Sequence, residues 1–308
     1  KTLFDTDLAH DSQVVHDAIQ DISEALIDHA QTPIPVPRWW PTERNRRMVR
    51  ALDAMDDVVE RMIAARQQEQ KDRGDLMSTV VFASDEKGGM SKKQMRDELM
   101  TLMFAGHETT AHTLTWAWYL MALNQDKVEK ARAEIDRVVG RRPIRVGDLR
   151  ELPYIEMCLK ESLRRLPAVW IYGREAQCDL RLGDYFFPKG AIMAVSPLAI
   201  GRNAKYYDEP LEFRPERWTR EFERQLPRGA YVPFAGGPRV CLGKQFALME
   251  MKIVLGTLIQ NVDINILDGF EPDFLPEISL NPGERSMQMR VTFRDNAPVR
   301  TGHPAQAA

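Results

Sequence analysis

The sequence predicts a mainly helical fold with small β-sheets, and three observations predict it. Five apolar-periodic helical segments fill the first half of the chain. After Arg165 the pattern changes to short strand-like pieces punctuated by turns such as Gly183-Asp184 and Lys189-Gly190. One more helical segment follows a glycine-rich cysteine loop, and short strands close the chain. With 308 residues, 44% hydrophobic and 28% charged, the protein can bury a sizeable core. No repeat or linker interrupts it, so 1–308 reads as a single domain.

In order, helical patterns occupy roughly Asp11–Ala30, Pro41–Arg73, Ser91–Leu123, Gln125–Val139, Pro153–Arg165 and Gly243–Asn261. Between the first two lies a proline-rich loop, Gln31-Thr-Pro-Ile-Pro-Val-Pro37. Arg66 to Asp75 is charged and reads as a solvated helix end. Ser91 suits an N-cap, and Leu99, Leu102, Met103, Gly106, Thr110 and Leu114 recur at helical spacing behind it. The tail from Asp263 to Arg294 reads as short strands, and Pro298 to Ala308 as a loose terminus.

Composition excludes more than it identifies. A net charge of −3 and a pI near 6.1 give no case for nucleic-acid binding. Three cysteines, Cys158, Cys178 and Cys241, are too few and odd in number for a disulfide framework, which points to a reducing compartment. The longest mostly apolar stretch of the third helix, Leu114 to Leu123, is about half of what a membrane span needs. These features together read as a soluble, cytoplasmic enzyme.

Phe234-Ala-Gly-Gly-Pro-Arg-Val-Cys241-Leu-Gly243 is the most informative stretch. Gly236 and Gly237 allow backbone conformations that a Cβ forbids, and Pro238 stiffens the bend. The following helix aims its amino terminus back at the sulfur. Its free N–H groups and dipole favour an anionic thiolate, suited to ligating a metal in an apolar pocket, with Arg239 beside a negatively charged cofactor edge. On these residues alone, an ordinary turn holding a buried cysteine accounts for the loop equally well.

Upstream, Ala105-Gly106-His107-Glu108-Thr109-Thr110 places glycine and β-branched residues inside a helix, where they weaken it. Such a conflict marks either a functional distortion, a loosened turn that admits ligand or water, or a helix crossing at Gly106. Taken by itself, the crossing is the better reading. His107 and His112 are five apart and do not share a face as metal ligands would. The Trp39-Trp40 pair, Trp116 and Trp118 read as packing.

Phe-x-x-Gly-x-Arg-x-Cys-x-Gly resembles the haem-binding signature of the cytochrome P450 family, and every fixed position is matched. Three further segments agree in family order: Ala105 to Thr110, Glu161-Ser-Leu-Arg164, and Phe213-Arg-Pro-Glu-Arg217-Trp218. The resemblance implies the family fold and a haem b (iron protoporphyrin IX) cofactor with Cys241 as the axial iron ligand, the metal-binding residue. It makes Arg239 a propionate partner, sets Phe234 near the sulfur, and has Gly243 close the loop whose N–H groups tune it. Ala105 belongs to the distal helix against the cofactor. There Thr109 would hydrogen-bond bound dioxygen and Glu108 would relay protons through water.

Glu161, Arg164 and Arg217 are implied to form a buried structural network with no chemical step. A softer likeness makes Arg174 a second propionate partner. The run before it suggests Val169, Trp170 and Ile171 as substrate-pocket residues, with the turn from Gly283 to Met287 adding Met287. The implied activity is insertion of one oxygen atom of O2 into a hydrophobic small molecule. Electrons would come from a separate ferredoxin or flavoprotein reductase, because no flavin or iron–sulfur motif is present. Lys244, Lys252, Arg224 and Arg228 form either a basic docking patch for that donor or an ordinary solvated surface.

The family pattern is entered partway, in the segment Thr2-Leu-Phe-Asp-Thr-Asp. The resemblance therefore implies that the chain is the C-terminal portion of the fold, without the front part that carries any membrane anchor and a Trp-x-x-x-Arg helix. Two alternatives stay open: a truncated, non-catalytic haem-binding protein, or a peroxide-using member of the same fold.

Overall fold

The computed structural model describes residues 4, 11–32, 36–37, 39–85, 88–283 and 287–294. Outside the described residues lie 2–3 and 5–7 of the opening segment, 33–35 of the proline-rich loop, 284–286 of the turn before Met287, and the terminus from Pro298 to Ala308. The chain divides into two compact units, Lys1–Glu108 and Thr109–Ala308.

In the first unit, α1 (Ser12–Gln31) packs along α2 (Glu43–Glu69), followed by α3 (Leu76–Val81), a short antiparallel pair β1 (Ser84–Asp85) and β2 (Gly88–Gly89), and the start of α4 (Lys92–Ala122). Thr42 caps α2, its hydroxyl accepting from Asn45 N at 3.1 Å, and Gln70 ends it in the left-handed region at φ 50°. Ser91 caps α4 reciprocally: Gln94 N donates to Ser91 Oγ at 3.2 Å, and Ser91 N to Gln94 Oε1 at 2.9 Å. Ile19, Met55, Val59, Ile63, Met77 and Leu99 are buried at its centre, so the helical periodicity read from sequence faces one core.

Two expectations need correction in this unit. The run from Arg66 to Asp75 is a solvated helix end only in part: residues 67–74 are exposed, but Arg66 and Asp75 are not. Arg66 is 3% exposed; its Nη1 donates to Asp75 Oδ1 at 2.6 Å and to Ser78 Oγ, and its Nη2 to Phe4 O at 3.0 Å. Asp75 in turn caps α3, accepting from Ser78 N at 2.7 Å. Arg66 and Asp75 thus serve an internal network, and α3 is a helix the sequence pattern did not reveal. Trp39 and Trp40 are not packing residues either, being 76% and 54% exposed.

The second unit begins in α4 and continues through α5 (Gln125–Val138) and α6 (Pro153–Arg165). Four strands follow. β3 (Tyr172–Glu175) pairs antiparallel with β6 (Ile192–Val195), and β4 (Leu180–Leu182) with β5 (Tyr185–Phe187). The expected turns are seen, with Gly183 at φ 59° and Gly190 at φ 86°. Short helices α7 (Pro197–Gly201) and α8 (Arg220–Gln225) precede α9 (Lys244–Asn261). The tail is strands, as the sequence predicts: β7 (Val262–Ile266) pairs with β10 (Met289–Phe293), and β8 (Leu275–Pro276) with β9 (Leu280–Asn281).

Here α9 packs on α5 and α6 around Trp116, Ile135, Ile155, Leu159, Leu255 and Ile259. Trp116 and Trp118 are buried, as expected. Gly256 permits the close approach: a Cβ there would come 2.7 Å from Ile144 Cδ1 and 3.2 Å from Ile155 Cδ1. Buried Glu134 of α5 accepts the N–H groups of Tyr154 at 2.9 Å and Ile155 at 3.2 Å, supplying acceptors to the first turn of α6. Lys252 is not part of a surface patch. It is buried, donating to Leu149 O at 2.6 Å and Glu156 Oε2 at 3.0 Å.

Candidate functional site

Cys241 sits three residues before the start of α9, in a loop shaped by backbone that few residues tolerate. Ala235 lies in the left-handed region at φ 57° and Gly237 at φ 70°. The loop closes on itself where Cys241 N donates to Phe234 O at 2.9 Å. Gly243 stands at the N-cap with no side-chain bond to the first turn, so the N–H groups of α9 open toward the loop that carries the sulfur. The cysteine is exposed, not buried as the ordinary-turn reading required, and not enclosed by protein in an apolar pocket. Its two neighbours, Val240 and Leu242, are apolar yet 49% and 84% exposed. A thiol flanked by uncovered apolar side chains suits an apolar partner bound through sulfur.

Arg239 and Arg174 are exposed as well. Arg174 donates to Gly173 O at 2.8 Å and lies over the Tyr172 ring at 5.0 Å. Among the described residues no carboxylate pairs with either guanidinium. Phe234 is half-buried, with Lys244 Nζ 5.9 Å from its ring centre. It packs against the same apolar cluster as Leu114, Trp170 and Met287.

α4 carries Ala105, exposed, and Glu108 and Thr109, half-buried. It runs as unbroken α-helix through Gly106 to Thr110, so the loosened turn, one of the two readings of this stretch, is not seen. Just beyond it, two hydroxyls bond back one turn: Thr113 Oγ1 donates to Thr109 O at 2.7 Å, and Thr115 Oγ1 to Ala111 O at 2.9 Å.

The second half of α4 is tied to the β8–β9 hairpin. His112 Nδ1 and Ser279 Oγ are 2.8 Å apart, and Trp116 Nε1 donates to Leu280 O at 2.8 Å. The same hairpin holds the segment before β3, through Leu280 N to Ala168 O at 2.7 Å and Trp170 Nε1 to Glu277 O at 2.7 Å. Val169, Trp170 and Ile171 are thereby fixed, half-buried, beside a hairpin anchored to α4. Sequence reading missed this hairpin as an organiser. Its strands are two residues each, too short to leave a period in the sequence.

Glu161, Arg164 and Arg217 come together in the buried base of the second unit. Arg164 grips Glu161 with two bonds, Nε to Oε2 at 2.9 Å and Nη2 to Oε1 at 2.8 Å. Arg217 Nε adds a third bond to Oε1 at 3.0 Å, Trp218 Nε1 one to Oε2 at 2.9 Å, and Arg214 N one to Oε1 at 2.9 Å. The rest of the Arg164 guanidinium is taken by the carbonyls of Gly201, Pro210 and Glu212, and it lies 4.9 Å from the Tyr207 ring centre. Trp218, Tyr207 and Gly201 were not singled out from sequence, because a carbonyl or ring partner leaves no charge pattern to read.

Comparison with known proteins places these features in context. The family model described as Cytochrome P450 matches residues 1–289. Cyclooctatin synthase of Streptomyces melanosporofaciens is 32% identical over 93% of this chain and 63% of that protein. Cytochrome P450 4V2 of Homo sapiens is 38% identical over 61% of this chain and 36% of its own length. Among solved structures, the cytochrome P450DA heme domain superposes with a TM-score of 0.85 at 27% identity, over 96% of this chain and 65% of that one. The chain thus spans roughly a third to two thirds of the length of these relatives.

Proposed function

The chain belongs to the cytochrome P450 family, and from that premise we propose that it is a haem-thiolate monooxygenase acting on a hydrophobic small molecule. The observation that carries the reading is Cys241, presented exposed from a left-handed, glycine-rich turn at the amino end of α9. Haem b, when bound, supplies the iron chemistry that activates O2.

The residues present fit that cofactor. Cys241 would ligate its iron, and Arg239 and Arg174, which have no carboxylate partner among the described residues, would pair with its acidic groups. The exposed apolar Val240 and Leu242 would pack against its apolar part. The first turn of α9 after Gly243, which no side chain caps, would offer N–H groups at the end of the loop that carries the sulfur. Phe234 shields its flank from water.

The resemblance carries Ala105 over as a small residue of the helix against the cofactor. The Thr109 hydroxyl orients and passes a proton toward the reacting oxygen, and the Glu108 carboxyl replenishes it from solvent. Val169, Trp170, Ile171 and Met287 bound an apolar substrate space and keep bulk water out of it. Electrons come from a separate ferredoxin or flavoprotein reductase.

The test is turnover with an apolar substrate, a redox-partner protein and isotopically labelled dioxygen. One labelled oxygen atom in the product, dependent on the partner protein, supports the reading. Product made only with added peroxide refutes it in favour of a peroxide-using activity. Haem bound without any turnover refutes it in favour of a non-catalytic binder.

A further inference from the structure

His16 of α1 and His107 of α4 face each other with ring centres 5.9 Å apart and planes tilted by 54°. Both belong to the first unit, and both are exposed. The only interaction of either ring with another described residue is this mutual one. His112, by contrast, commits its Nδ1 to Ser279. Two solvent-reachable imidazoles, held by different helices and without hydrogen-bond partners, keep their nitrogen lone pairs available.

The separation is what a shared ion requires. A metal bonded at about 2.0–2.1 Å to one nitrogen of each ring sets the ring centres roughly 5–6 Å apart. Imidazole ligands with the remaining positions left to water suit zinc, nickel or copper rather than magnesium or calcium.

We propose that His16 and His107 form a two-histidine site for a divalent transition metal ion such as Zn2+, which clips α1 to α4. The ion would lock α1 onto the helical turn that ends at Glu108. Metal binding would therefore be felt one residue from the carboxyl assigned to proton delivery.

The full chain, stripped of divalent ions with a chelator, is titrated with Zn2+ alone by calorimetry, and its thermal unfolding is followed with and without the ion. One equivalent should bind and raise the unfolding temperature. His16→Gln and His107→Gln should each weaken binding roughly tenfold or more, comparable to losing an important partner at a metal site. His112→Gln should leave it unchanged. Absence of binding overturns the proposal. So does binding that survives both substitutions, which would place the ion elsewhere, for instance on the exposed thiols of Cys178 and Cys241.

Discussion

Glu161 and Arg164, one turn apart on α6 and both fully buried, are joined by two parallel hydrogen bonds of 2.8 and 2.9 Å. The pair is closed by Arg217, Trp218 and the Arg214 backbone, so both carboxylate oxygens and the guanidinium are satisfied. A buried ion pair of this kind is not in itself stabilising, but removing one member strands the other. Glu161→Ala leaves Arg164 and Arg217 without their shared anion and should cost about 3–5 kcal/mol. Urea unfolding monitored by the buried Trp218 measures it. A loss below about 1 kcal/mol would show that the network is relieved by water.

Gly201 should tolerate no side chain. A Cβ there would lie 2.1 Å from Arg164 O and 3.3 Å from Arg164 Cγ. Gly201→Ala therefore pushes on the backbone of the helix that carries the network, and overpacking of this kind costs on the order of 1–3 kcal/mol. A thermal unfolding midpoint equal to that of the unaltered protein would contradict this.

The stability of the first unit should fall in acid through Asp75. The hydrogen bond from Arg66, opposed in part by burial, holds the Asp75 carboxyl at about 2, below its ordinary 3.8. The folded state thus favours the ionised form. The contribution is complete above about pH 4 and is lost as pH falls toward 2, and the shift corresponds to about 2 kcal/mol. Asp75→Asn should remove that pH dependence while destabilising the unit at neutral pH. Stability–pH curves of the two proteins that stay parallel between pH 4 and 2 would contradict the assignment.

Much of this architecture is legible in the sequence because it depends on local rules. The Ser91 cap, the apolar repeat behind it, and the turns at Gly183 and Gly190 each appear where propensity and periodicity place them. What escapes is whatever depends on distant partners. Arg66 and Lys252 look like solvated charges until Asp75, Ser78, Leu149 and Glu156 are brought to them. Trp39 and Trp40 look like core residues, because large aromatics usually are. The low helix propensity around Gly106 leaves no break, because α4 is one long helix fixed at its far end by distant partners such as Ser279 and Leu280. The cysteine loop was legible as a motif, yet the exposure of its sulfur was not, since burial belongs to the whole fold.

Thr109 is assigned the proton step, and its removal should separate electron consumption from product. Thr109→Ala should lower product formation on the order of a hundredfold while O2 consumption continues and peroxide accumulates. Thr109→Ser, which keeps the hydroxyl, should retain most of the coupling. Equal peroxide release from the unaltered protein and the alanine variant would remove Thr109 from the relay.

Ligation of haem iron by Cys241 is the central proposal, and one spectrum tests it. The purified chain, supplied with haem, is reduced under carbon monoxide and its difference spectrum recorded beside that of Cys241→Ala. A red-shifted Soret band characteristic of thiolate ligation, present in the former and absent in the latter, is the predicted result. The same thiolate band from the Cys241→Ala protein, or a band of neutral proximal ligation from the unaltered chain, would contradict it.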